Sequence, residues 1–98
     1  MSNLIYIMVF EERILKKILY VRNLPLNIDT NEIYDLFSKY GRIFQIRMFG
    51  MIKSGFTSVT KGSCIIIYST NKEASLALAS LSGKLFKNKY LVILLFKL

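Results

Sequence analysis

Tyr20 and Arg22 stand two residues apart in the run Leu19-Tyr20-Val21-Arg22-Asn23-Leu24, and on a strand a spacing of two puts both side chains on one face. A phenol ring presented in this way stacks on a nucleobase of any identity. A guanidinium on the same face is placed to meet a phosphate. Arg47 adds a further cation, as does Lys61 at the head of the stretch Lys61-Gly62-Ser63-Cys64-Ile65-Ile66-Ile67-Tyr68. The balance of the whole chain favours the same ligand class: 14 Lys+Arg against 6 Asp+Glu give a formal charge of +8, which attracts polyanions before any specific contact forms.

Other chemistries find little material. The chain has no histidine and a single cysteine, Cys64, so neither an internal disulfide nor a zinc ligand set is expected, and no metal or other cofactor is implied. A reducing compartment, cytosol or nucleus, fits this cysteine usage. The apolar run from Leu4 to Phe10 is too short to span a bilayer. It also lacks the basic start and small-residue cleavage site of a secretory signal, and Glu11 and Glu12 directly after it disfavour a mitochondrial presequence. No membrane partner is expected, and residues 1–17 read as an amino-terminal docking segment ahead of one domain at 18–98.

The elements that must position Tyr20 follow from periodicity. Ile18 to Asn23 is a β-rich run stopped by Leu24-Pro25, where proline removes a backbone donor. Asp29 or Thr30 can cap a helix, with Glu32 placed to return the bond, and Ile33, Leu36, Phe37 and Tyr40 recur at helical spacing up to Gly41. A second strand over Ile43 to Phe49 leads into a connection at Gly50 to Lys61, rich in glycine, serine and threonine. Ser63 to Tyr68 resumes the sheet. Thr70-Asn71-Lys72-Glu73 is a capping box for a helix with the stripe Ala74, Ala77, Leu78 and Leu81, closed by Gly83. Tyr90 to Phe96 is the last strand.

The order βαββαβ defines an α+β, ferredoxin-like sandwich in which a four-stranded antiparallel sheet carries both helices on one face. Alternation then sorts the side chains. Leu19 and Val21 face the helices and Tyr20 and Arg22 the open side. Gly62, Cys64, Ile66 and Tyr68 fall inward, with Lys61, Ser63, Ile65 and Ile67 outward. Leu91, Ile93 and Leu95 point in, while Tyr90, Val92, Leu94 and Phe96 point out. A sheet face in water alternates apolar with polar residues, whereas these last two strands are apolar on both parities, as in sheets covered on both sides. Ile65, Ile67, Tyr90, Val92 and Leu94 are therefore expected to meet a protein partner.

The residues just quoted resemble the RNA recognition motif. The run at Leu19 to Leu24 is similar to that fold's first-strand signature, and Lys61 to Tyr68 sits where it keeps a Lys/Arg-Gly octamer. Ser63 and Ile65 occupy the two places where the octamer normally carries base-stacking aromatics, which leaves Tyr20. More narrowly, Ile18-Leu19-Tyr20-Val21-Arg22-Asn23-Leu24-Pro25, Glu32 to Gly41, Gln45-Ile46-Arg47, Leu81-Ser82-Gly83 and Tyr90-Leu91-Val92 resemble the small RNA-recognition-motif subunit of splicing factor 3b, over about Ile14 to Phe96. That resemblance implies a nuclear splicing role in the U2 snRNP. It implies an RNA partner at the intron branch region, alone or paired with snRNA, and a large helical-repeat subunit of splicing factor 3b lying across the sheet. Tyr20 matches the family's branch-nucleotide tyrosine. Ile65 departs from the family, which has an aromatic there, and the family continues beyond the position of Leu98 into a helix near the sheet.

Three other functions compete with this one. A general single-stranded RNA-binding domain needs more stacking rings than Tyr20. A peptide-binding variant of the same motif would act only as a protein-interaction module; Gly83-Lys84-Leu85-Phe86 loosely resembles the Gly-Arg-x-Phe loop of such domains, and Glu32 and Asp35 supply acidic groups on the first helix. Small acyl-phosphate hydrolases share the element order, but they need a glycine loop that cradles an anion. This chain has Leu24-Pro25-Leu26 there, no histidine base, and a cysteine aimed at the core. The expectation is a protein that is not an enzyme.

Overall fold

The computed structural model describes residues 16–48 and 62–95. Strand β1 (Ile18–Arg22) is followed by helix α1 (Thr30–Phe37), which tightens into a 3-10 turn at Ser38–Tyr40. Strands β2 (Ile43–Met48) and β3 (Cys64–Tyr68) precede helix α2 (Asn71–Leu81), a short ribbon of β4 (Leu85–Phe86) and β5 (Lys89–Tyr90), and strand β6 (Val92–Leu95). The main sheet is antiparallel in the order β2-β3-β1-β6.

Both helix starts were legible as local chemistry. Asp29 accepts from the Glu32 amide at 2.8 Å and the Glu32 carboxylate returns to the Asp29 amide at 3.4 Å, so the box satisfies two otherwise orphaned donors. At α2 the Thr70 hydroxyl accepts from the Glu73 amide at 3.2 Å and donates to its carboxylate at 2.9 Å. The other Glu73 oxygen accepts from the Arg42 amide at 2.6 Å, so this cap also ties α2 to the start of β2.

The core lies between the sheet and the two helices. Leu19 and Val21 from β1, Cys64, Ile66 and Tyr68 from β3, and Leu91 and Ile93 meet Ile33 and Phe37 of α1 and Ala74, Ala77 and Leu81 of α2. The Tyr68 hydroxyl, buried, donates to the Phe37 carbonyl at 2.7 Å, which joins β3 to the end of α1. Gly62 holds a positive φ of 71°, and a side chain there would meet the Leu24 carbonyl at 2.6 Å. Its own carbonyl accepts from the Leu24 amide at 2.8 Å, so only glycine lets these two chain segments approach.

Two expectations need correction. The final strand does not run unbroken from Tyr90: Leu91 leaves the ladder, its amide donating to Lys84 at 2.9 Å and its carbonyl accepting from Gly83 at 2.8 Å. Tyr90 therefore pairs with Leu85 in the separate ribbon, whose two turn residues Lys87 and Asn88 have φ of 50° and 68°. Both central residues at positive φ match the type I′ turn that suits strand twist. Ser63, expected on the open side, is buried and precedes the strand. Strand β2 breaks its alternation at a bulge between Ile43 and Gln45. The expectations for residues 1–15, for the connection at Gly50 to Lys61 and for Phe49 and Phe96 lie outside the described residues.

Candidate nucleic-acid interface

Cross-strand pairing assembles one row over the open face. Tyr20 lies opposite Ile65 on β3 and opposite Leu94 on β6, and Ile65 in turn lies opposite Arg47 on β2. Read across the sheet, the row is Arg47, Ile65, Tyr20, Leu94. One residue pair toward the end of β1, Arg22 lies opposite Val92. On the other side, Ile67 lies opposite both Ile18 and Gln45. A single ring thus stands at the centre of an aliphatic surface, with a guanidinium at two of its margins.

Exposure follows position in the sheet. Tyr20, Ile65 and Ile67, on the two central strands, are half-buried, whereas Arg22 and Arg47 are exposed. On the edge, Val92 and Leu94 are 42% and 48% exposed. Covering an aliphatic side chain fully is worth about 1.5–3 kcal/mol, so this edge gains from a partner that removes it from water. Tyr90 is exposed on the ribbon, and its carbonyl accepts from the Asn23 side chain at 2.8 Å. That bond fixes the ribbon against the end of β1, where Asn23 itself takes a left-handed φ of 64°. Of the sequence-derived residues, Tyr20, Arg22, Arg47, Ile65, Ile67, Val92 and Leu94 come together on one face. Tyr90 stands beside that face, and Lys61 lies outside the described residues.

The charge around this face is one-sided. Asp29, Glu32, Asp35 and Glu73 all belong to α1, its cap or α2, so among the described residues the main sheet presents arginines and no carboxylate. A polyanion crossing the face meets attraction without local repulsion. Burial meanwhile silences the groups behind the sheet: it pushes the Cys64 thiol up to about 12. Burial likewise raises the Tyr68 phenol, with the charges of Glu73 and Tyr40 adding to the effect. Neither is a nucleophile or proton donor near neutrality.

Sequence reasoning missed Phe44. At 76% exposure no large apolar side chain among the described residues is more open to solvent. The bulge sends Ile43, Ile46 and Met48 to the core and leaves Phe44 and Gln45, consecutive residues, both exposed. A strict period of two cannot anticipate two outward neighbours, so the signal was hidden by the irregularity that produced it.

A four-stranded sheet backed by two helices and bearing an aromatic on its central strand defines a class, and the chain belongs to it: residues 19–92 match the RNA recognition motif family. Among solved structures it is similar to an SXL-lethal protein/RNA complex, with a TM-score of 0.71 and 28% identity, covering 87% of this chain and 50% of that one. Among curated proteins it is similar to the splicing factor 3B subunit 6-like protein of Arabidopsis thaliana, 42% identical over 83% of this chain and 60% of that protein. It is also similar to splicing factor 3B subunit 6 of Drosophila melanogaster, 41% identical over 83% of this chain and 62% of that protein. The chain thus spans about three fifths of the length of these relatives.

Proposed function

We propose that this chain is a non-catalytic RNA-binding subunit of the nuclear pre-mRNA splicing machinery. In this reading it holds RNA at or near the intron branch adenosine through Tyr20, the branch region being single-stranded or paired with snRNA. A large helical-repeat subunit of splicing factor 3b covers the aliphatic part of the sheet. The observation that carries the proposal is the row Arg47, Ile65, Tyr20, Leu94. Its composition is wrong for a strand-long RNA track, which needs several rings. It suits one stacked nucleotide beside a surface roofed by protein. Arg22 and Arg47 serve as phosphate contacts, and Lys61 adds a third cation from the chain just before Gly62. The similarity to splicing factor 3B subunit 6 supports the assembly named here.

Two substitutions separate the two roles. Leu94→Asp places a charge where the partner removes water and is expected to weaken binding to the purified helical-repeat subunit about tenfold or more. Tyr20→Ala is expected to leave that affinity within about twofold while abolishing crosslinking to RNA. If Tyr20→Ala costs as much partner affinity as Leu94→Asp, the ring is part of the protein contact and the domain acts as a peptide-binding module instead.

A further inference from the structure

Phe44 has no part in the site described so far, and its position is unusual for an apolar ring. It stands on an edge strand at a bulge, 76% exposed, between two residues that do face the core, Ile43 and Ile46, with Gln45 beside it. Bulges re-aim side chains and gather beside functional sites. Here the extra residue is what frees the ring from the core register. From strand spacing and rise, Phe44 lies about 13 Å from Tyr20, two strands over and about three residues toward the start of β2. One base cannot touch both rings.

We propose that Phe44 is a second base-stacking platform, taking a different nucleotide of the same RNA strand whose other base sits on Tyr20. Arg47 lies to one side of the line joining the two rings, three residues along β2 from Phe44 and two strands across from Tyr20 in the same cross-strand row, where its long side chain can reach the intervening phosphate. Gln45, exposed on the same strand, offers an amide that can both donate to and accept from a base edge. The absence of carboxylates from the strands of the sheet, among the described residues, fits a nucleic acid and disfavours a basic peptide as the occupant. This inference rests on the RNA-binding reading above and extends it from one nucleotide to at least two subsites along a path from β1 to the β2 edge.

The test uses the full chain and fluorescein-labelled pentaadenylate, read by fluorescence anisotropy at low salt. Phe44 is exposed, so Phe44→Ala is expected to melt like the parent, and it should raise the Kd about tenfold, the scale of one lost base stack. Phe44→Trp should stay within about twofold of the parent. Tyr20→Ala should weaken binding by a similar factor, with the two effects multiplying in the double variant because the sites are far apart. A parent that binds while Phe44→Ala binds equally well overturns the second platform and leaves the Tyr20 reading standing. A parent that fails to bind the oligonucleotide removes both. Loss of a dimer on Phe44→Ala, seen by sedimentation, also overturns the proposal and assigns the ring to pairing between edge strands of two copies.

Discussion

At Gly41 the absence of a side chain is a packing requirement. A Cβ there would lie 2.5 Å from the Cβ of Glu73 and 2.5 Å from its Oε2, inside any van der Waals contact. The colliding Cβ is close to the backbone and cannot swing aside. Gly41→Ala must therefore push Glu73 off the Arg42 amide it holds at 2.6 Å. Overpacking of this kind costs about 1–3 kcal/mol, and chemical denaturation should show that loss with an unchanged m-value. The cost of Gly41→Ala should shrink in a Glu73→Gly background, which removes the colliding Cβ, because the two residues touch. Cys64 shows the opposite situation: it fills core space completely, and its raised thiol makes it a small hydrophobe rather than a reactive group.

Elements whose rules are local were readable from sequence, and elements set by pairing were not. Asp29 with Glu32 and Thr70 with Glu73 announced both helix starts, because caps are satisfied within three residues. The inward set Leu19, Val21, Cys64, Ile66, Tyr68, Leu91 and Ile93 followed from a period of two. The ribbon at Leu85 to Tyr90 stayed hidden because Lys87-Asn88 lacks the glycine that usually marks a type I′ turn. Phe44 stayed hidden because a bulge is a property of two strands together. The tie from α2 to β2 was invisible for the same reason, and it has a pH signature. The Arg42 amide foremost, with the Thr70 hydroxyl, holds the Glu73 carboxyl below its ordinary value of 4.5. A carboxylate depressed in the folded state adds stability that is fully present above that ordinary value and disappears as pH falls through the folded one. Glu73→Gln should accordingly be less stable than the parent at pH 7. The gap should narrow as the pH is taken below 4.5, and denaturation curves across that range would measure it.

Among the described residues, the carboxylates keep to the helical side of the molecule. The helical layer carries Asp29, Glu32, Asp35 and Glu73, and an exposed ion pair there, Lys87 with Glu32, has little energetic weight. The opposite face carries Arg22 and Arg47, the aliphatics Ile65, Ile67, Val92 and Leu94, and a central ring. With a net charge of +8, a polyanion is drawn toward the molecule and finds its least opposed approach on the sheet. In the proposed reading it meets one central stacking ring there, and the aliphatic remainder is left to a second polypeptide. The most direct measurement is ultraviolet crosslinking of the full chain to a short RNA duplex with one bulged adenosine, followed by mapping of the labelled peptide. The account predicts that the label falls on the peptide containing Tyr20 and disappears in Tyr20→Ala. Label on peptides containing Lys53 and Lys61, with the peptide containing Tyr20 unmodified, would contradict it and reduce the interaction to nonspecific attraction between charges.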